Sequence, residues 1–511
     1  MRYGTAKIMK TSLTIITGSL LFILSIHFTY ASEYTQTIRG RVTDKFTNGP
    51  LPGANVMVLD TDPIIGASTD MDGYYTLKDV PVGRVDLQVT YIGYNPVMLN
   101  SLTLTSGKEM ILNISLEESV ITAEEIVVTA DKEKGQVNNK MALASARSFD
   151  IEETSRYAGS RNDPARMASN FAGVSGANDA RNDIIIRGNS PSGLLWRLEG
   201  IDIPSPNHYS SFGSTGGPVS MLNNNLLDKS DFITAAFPSN YGNAIAGVFD
   251  LNLRSGNNEK REYLGQIGFN GFEFLAEGPF SENSKASYLA SYRYSTLGVF
   301  DQLGINIGTG AAVPNYQDLS FKIDIPTSKF GRFEIFGLGG MADIEFLGSE
   351  TDFEENETNL YGGENENLLN ETETGLAGIS HTYYISNTLF TELTLSASHQ
   401  KSVILVDSVA WTGPENTQVE AITPYASINN QQDLYNLNLT INKKFNAKNN
   451  LTSGIILNYY DLNFADSIYI NEPSDPYWRT INFGNDGSLL SQAYSNWQHK
   501  FSEQLLMNIG L

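Results

Sequence analysis

The chain has 511 residues, 34 Lys and Arg against 57 Asp and Glu, a formal charge of -23 at pH 7 and no cysteine. Length alone points to roughly three or four domains, and an acidic balance of this size speaks against a nucleic-acid partner. The missing cysteines exclude disulfides, thiolate nucleophiles, Cys-ligated metal sites and a lipoprotein anchor, as suits an exported chain that needs no cross-links.

Arg2, Lys7 and Lys10 precede an apolar stretch from Leu13 to Phe28, and Thr29-Tyr30-Ala31 brings small residues to a cleavage point. Residues 1–32 therefore read as a signal peptide, because the apolar run is shorter than the ~20 residues a spanning helix needs. From 33 to 118, "TIRGRVTD", "GANVMVLD", "GYYTLKDV", "RVDLQVTYIGY" and "EMILNISLEE" alternate with Pro- and Gly-bearing turns, the pattern of a small β-sandwich. This segment resembles the carboxypeptidase-regulatory-like domain, an accessory module with no catalytic role. Asp60, Asp62, Asp70 and Asp72 lack the ligand offsets of an EF-hand calcium loop, and Asp72-Gly73 is expected to turn a hairpin.

A linker, 119–135, carries "EEIVVTA". Ile126, Val127, Val128 and Thr129 favour a strand that has no neighbour to pair with in the linker, and such a segment can add itself to the sheet edge of a partner. The stretch Glu125, Ile126, Val127, Val128, Thr129, Ala130 resembles the TonB box, which implies TonB and its inner-membrane energising complex as partners.

From 136 to 256 the order "IIIRG", "LEGIDIP" and "YGNAIAGVFDLNLRSG" resembles the plug domain of TonB-dependent receptors, with an α+β fold. Ile184 to Ile186 read as a strand buried on both faces, and Gly188 allows a sharp turn after Arg187. Arg187 is either locked by a barrel carboxylate or a solvated charge at a strand end. Glu199, Gly200 and Asp202 form the second motif, with a structural or gating role. The loop from Pro204 to Pro218, with Asn207, His208 and Tyr209, is expected to face the ligand, as plug loops of the family do.

Beyond 256 the period becomes two. Tyr435, Leu437, Leu439 and Ile441 alternate with Asn436, Asn438, Thr440 and Asn442, and Thr391, Leu393, Leu395 and Ala397 with Glu392, Thr394, Ser396 and Ser398. One face meets lipid and the other a wet lumen, so 257–511 is expected to form about eleven or twelve strands of a transmembrane antiparallel β-barrel. Tyr288, Tyr292, Tyr294, Tyr459, Tyr460 and Trp497 are expected in its interfacial belt. The resemblance implies a barrel of about 22 strands; the chain stops in the alternating run Leu505, Met507, Ile509, Leu511, so it reads as the N-terminal part of a longer receptor. Ser349 to Gly375, with nine carboxylates and no basic residue, is expected as a solvated external loop.

The fold class is thus mainly β: sandwich, plug and incomplete barrel. His27, His208, His381, His399 and His499 lack metal-ligand spacing, and no phosphate-cradling or nucleophile-elbow motif stands in its proper context, so neither an enzyme nor a cofactor is expected. The resemblance, of the type associated with the Bacteroidetes group, implies a receptor in the outer membrane of a Gram-negative cell. It would import an extracellular glycan, peptide or metal chelate, with outer-membrane lipid around the barrel. Two alternatives are a non-transporting surface adhesin or signalling receptor and a truncated periplasmic interaction protein.

Overall fold

The computed structural model describes residues 34–511 apart from 121–136, most of 296–313, 351–362, 414–417 and a few shorter stretches. The signal-peptide and TonB-box readings lie outside the described residues.

The first unit is a sandwich of β1 (Thr35–Asp44), β2 (Asn55–Val58), β3 (Gly66–Ser68), β4 (Tyr74–Pro81), β5 (Gly83–Thr90), β6 (Val97–Leu104), β7 (Met110–Ile111) and β8 (Ile114–Leu116). One sheet runs β4-β1-β7, with β8 also on β1; the other runs β3-β2-β5-β6. Ile38, Val42, Val56, Leu77, Leu87 and Val89 fill the space between them. The Asp72-Gly73 turn is not a hairpin, because β3 and β4 belong to different sheets. Asp70 Oδ1 accepts the amides of Asp72 and Tyr74 at 2.9 and 2.8 Å, and Gly73 has φ +83, so the turn carries the chain from one sheet to the other.

The second unit contains β9 (Ala146–Phe149), α1 (Pro164–Ala168), β10 (Val174–Gly176), β11 (Ile184–Ile186), β12 (Leu194–Leu198), β13 (Ile201–Ile203), β14 (Asn207–His208), β15 (Val219–Ser220), β16 (Ser230–Ile233) and β17 (Gly247–Leu251). A mixed sheet β13-β12-β17-β16-β9 forms its centre, where Trp196 and Phe232 stack on Phe249 at 4.4 and 4.5 Å. Its α content among the described residues is slight. Ile184 and Ile186 are buried, but Ile185 is half-buried, since β11 pairs only with β10 and presents one full face to the core.

The third unit is an eleven-stranded antiparallel sheet in sequence order: β18 (Glu262–Gly268), β19 (Gly271–Pro279), β20 (Ser287–Tyr294), β21 (Asn315–Thr327), β22 (Gly331–Leu347), β23 (Glu366–Ser386), β24 (Leu389–Thr412), β25 (Gln418–Asn446), β26 (Asn449–Ile470), β27 (Tyr477–Lys500) and β28 (Leu506–Gly510). Strands β18 and β28 are its edges. Asn436 pairs with Ser396 and Asn458, and this parity faces inward, with Asn458 fully buried; Tyr435, Leu395, Ile441 and Tyr459 face outward and are exposed. Tyr460 shares the parity of Asn458, so it stands on the inner wall and not in the outer belt. The acidic stretch is a loop only in part, because β23 begins at Glu366 and its last residues are paired on both sides. Strands β23 to β27 run 21 to 29 residues, well past the ~9–11 that cross a bilayer, so the excess carries the sheet beyond the membrane at the end bearing the long connections.

The sandwich sits at the opposite end, against the short turns. Asp44 and Glu118 share Lys444 at 2.6 and 2.8 Å, Glu117 meets Lys500, Glu109 meets Lys260 at 3.1 Å, and Lys108 reaches Glu277 at 2.7 Å. Burial alone would raise the carboxyls of Asp44, Glu109 and Glu117, yet their cationic partners outweigh it and hold all three below their ordinary values. Arg39 and Lys45, within the sandwich, supply much of this for Glu109 and Glu117; the share due to Lys444, Lys260 and Lys500 favours docking fully above the ordinary values of 3.8 and 4.5 and is lost as pH falls through the lowered ones. Small-angle scattering of the solubilised protein should show the docked share of the sandwich falling as pH is taken from about 6 down through the carboxyl range to about 2, with unchanged β-sheet circular dichroism. An identical scattering profile at both values would contradict this.

Candidate functional site

The functional region is the seam between the plug and the inner wall of the sheet. Its first element is the hairpin turn between β12 and β13. Glu199 and Gly200 have φ +50 and +80, the left-handed pair of a two-residue turn, which Gly adopts without a Cβ penalty. This turn aims the Glu199 carboxylate at Lys322 of β21, whose Nζ lies 3.0 Å from both carboxylate oxygens, 2.9 Å from Leu253 O and 3.0 Å from Glu334. Leu253 N–H donates to Glu199 at 2.6 Å. On the same turn Gly200 O accepts from Asn438 Nδ2 at 2.8 Å, so the hairpin touches both β21 and β25. Asp202 faces the plug, pairing with Arg197 at 2.8 Å.

The second element is the loop expected to face the ligand. Asn207, His208 and Tyr209 are instead buried, because β14 pairs with β15 and packs on the sheet. His208 Nε2 lies 2.9 Å from Asp318, which Arg293 holds at 2.7 Å; Arg293 also donates to Ser220 O. Burial keeps the His208 imidazole below its ordinary value although Asp318 pulls the other way, so the ring is neutral and the ionic charge is that of Asp318 and Arg293. The Tyr209 hydroxyl donates to Asn315 O at 2.5 Å, and its amide donates to Thr372 at 3.1 Å. His208 and Tyr209 fasten the plug to the wall in this structure. Asn207 accepts from Asn182 at 2.7 Å, inside the plug.

Arg187 differs from the locked alternative. With Gly188 it forms a left-handed turn, φ +52 and +80, and its guanidinium reaches Ser145 and Thr234 at 3.2 and 3.5 Å on the exposed side. Among its described contacts there is no carboxylate.

The third element was not anticipated. Arg254 grips Glu277 of β19 through two bonds of 2.6 and 2.8 Å, and Asn223 reaches Glu273 and Ser291 at 2.8 and 2.9 Å. At the start of the plug, Asn138 and Asn139 donate their amides to the two oxygens of Asp231 at 2.8 and 2.6 Å, and Asn139 Nδ2 meets the Tyr241 hydroxyl, which donates to Asp250 at 2.5 Å. Burial pushes Asp231 up to about 6 against those two amides. The available signal was an inward-parity charge in an apolar strand, as at Lys322 in "FKIDI" or Arg293 in "SYRYS".

A folded domain fastened by buried ion pairs to the inner wall of a lipid-facing antiparallel sheet is the arrangement of a plugged outer-membrane barrel. Residues 37–117 match the carboxypeptidase regulatory-like domain. The chain is 31% identical over 186 residues to a TonB-dependent receptor of Formosa agariphila, an alignment covering 34% of this chain and 17% of that protein. Its fold is similar to that of FpvA of Pseudomonas aeruginosa bound to heterologous pyoverdines, with TM-score 0.53, 13% identity, 72% of this chain and 50% of that chain covered. The ferric-catecholate import receptor Fiu of E. coli K12 also matches, with TM-score 0.41, 11% identity, 70% of this chain and 67% of that chain. The chain is thus similar to TonB-dependent receptors, which are not enzymes, and spans half the length of FpvA.

Replacing Lys322 by Met leaves Glu199 and Glu334 buried without their shared cation, at a cost on the order of 3–5 kcal/mol. The double variant Glu199→Gln/Lys322→Met should regain a large part of that loss. Denaturant unfolding followed by tryptophan fluorescence, with Trp411, Trp478 and Trp497 replaced by Phe so that Trp196 reports alone, reads the difference; equal losses in the two variants would show that the pair does not seat the plug.

Proposed function

We propose that this chain acts as a TonB-dependent outer-membrane receptor that imports an extracellular ligand, a glycan, peptide or metal chelate, by energy-coupled rearrangement of its plug. The observation that carries this reading is the seating of the plug on the sheet's inner wall through Glu199–Lys322, His208–Asp318 and Arg254–Glu277. The two ion pairs favour a closed state because losing a partner strands a buried charge, and the neutral His208 adds a hydrogen bond to Asp318. The signal peptide at 1–32 directs export, and the sandwich and the box from Glu125 to Ala130 face the periplasm. TonB adds the box to its own sheet as a strand, with main-chain hydrogen bonds as the grip. Because the outer membrane holds no ion gradient, the pull derives from the inner membrane. The first described plug residues on the box's C-terminal side, Val137 to Met141, receive that pull directly.

Val127→Pro removes one ladder donor from the box strand. Uptake of the ligand should fall to background while surface binding keeps its Kd; uptake at the unmodified rate would refute the box assignment.

A further inference from the structure

The sandwich does more than flank the barrel. Lys140, in the first plug segment, touches all three units: its Nζ lies 3.4 Å from Asn48 Oδ1 and 5.9 Å from the Phe46 ring of the sandwich, and 5.7 Å from the Phe390 ring of the barrel wall. Its carbonyl accepts from Gln498 at 2.9 Å, and the next carbonyl, of Met141, accepts from Asn508 at 2.6 Å. A polar cavity of about 210 Å³ adjoins this segment, with Asn48 on its sandwich side and Glu392 and Tyr494 on its barrel side. The loop Phe46–Asn48 therefore covers the first plug residues from the periplasmic end.

One side chain couples that loop to the barrel. Asp44 Oδ1 accepts the amides of Phe46 and Thr47 at 2.9 and 2.8 Å, which shapes the loop, while Oδ2 accepts from Lys444 at 2.6 Å and from the Tyr94 hydroxyl at 2.9 Å. The docking contact and the covering loop thus share one carboxylate, and Asp44 and Lys444 are both buried. The outer edge of the dock, by contrast, is an exposed pair, Asp72 with Lys285 at 3.1 Å.

We propose that the docked sandwich is a brake on the plug: its Phe46–Asn48 loop, held by Asp44 on Lys444, retains the Asn138–Met141 segment until the sandwich leaves the barrel rim. Physically, Lys140 cannot move toward the periplasm without sliding past Phe46 and Asn48, and those residues cannot move apart while Asp44 bridges the loop to Lys444. The brake rests on the receptor reading for its biological use, but its mechanics are a property of this chain alone.

The chain has no cysteine, so a clean staple is available. Asp72→Cys and Lys285→Cys, both exposed, are joined by a cleavable bis-maleimide in the full chain in outer-membrane vesicles, and hydrogen exchange is read at the amides of Asn138, Asn139 and Met141. Stapling should slow their exchange at least about tenfold, since exchange through undocking is blocked. Cleaving the linker should restore the unstapled rate, while the exchange of the β16–β17 core stays the same throughout. Identical rates at the three amides with and without the staple would overturn the brake. In intact cells carrying the same cysteine pair, where the inner membrane is energised, uptake of a ferric-siderophore probe that stops on stapling and resumes on cleavage supports its use in transport; absence of uptake by unstapled cells counts against the receptor reading for that probe and leaves the exchange result to decide the brake.

Discussion

A charge on the inner wall of a lipid-embedded sheet must find its partner inside, because the outer face offers only hydrocarbon. Lys322, Arg293 and Lys444 occupy such positions and are all buried. The barrel strands satisfy part of this demand themselves, as in Arg293 with Asp318, but Lys322 also needs Glu199 of the plug, and Lys444 needs Asp44 and Glu118 of the sandwich. Charge pairing therefore joins the sandwich, which has its own hydrophobic core, to the barrel, and orients the plug, whose core around Phe249 and Leu251 runs on into Leu275, Phe336 and Leu338 of the wall. A buried pair adds little net stability over an apolar contact, but a wrong register leaves a charge unpaired at large cost, so these pairs fix how the units meet.

The backbone decides which motif residues reach the wall. The Arg187-Gly188 and Glu199-Gly200 turns have the same left-handed geometry, yet the first points its side chain to Ser145 and Thr234 and the second to Lys322. The difference is position in the sheet. Strands β12 and β13 form an edge of the central plug sheet and end at the wall, whereas β11 pairs only with β10, outside that sheet.

Alternation made the barrel face legible from sequence, because a period of two leaves each side chain only two choices, and Asn436 against Tyr435 shows both. Aromatic character alone misplaced Tyr460 in a belt, although its parity with Asn458 and Leu462 sets it on the inner face. Acidity misplaced the end of the Ser349–Gly375 stretch, since a strand that has left the membrane tolerates Glu371 and Glu373 on a wet surface. Polar, turn-like sequence hid the burial of His208 and Tyr209, because their partners Asp318, Asn315 and Thr372 lie more than a hundred residues away, and that of Asn207, which bonds within the plug to Asn182. Which barrel charge answers Glu199 was equally hidden, for the pairing spans 123 residues and no local pattern encodes it.

The seam is not uniform around the plug. Ionic contacts concentrate on β19 to β22, at Glu277, Arg293, Asp318, Lys322 and Glu334. On β25 to β28 the plug is met by neutral amides: Asn438 on Gly200, Asn496 on Ser239, Gln498 on Lys140 and Asn508 on Met141. A neutral hydrogen bond exchanged for water costs about 0.5–1.5 kcal/mol, against about 3–5 kcal/mol for a buried charge deprived of its partner. The backbone carbonyls of Lys140 and Met141 meet this wall through Gln498 and Asn508 alone, so the first described plug segment is held to β27 and β28 without an ion pair, while the Lys140 side chain lies over Phe390 of β24 near Glu392. The sandwich adds Asn48 and Phe46 to the contacts of this segment, on the side where the barrel meets the plug with neutral groups.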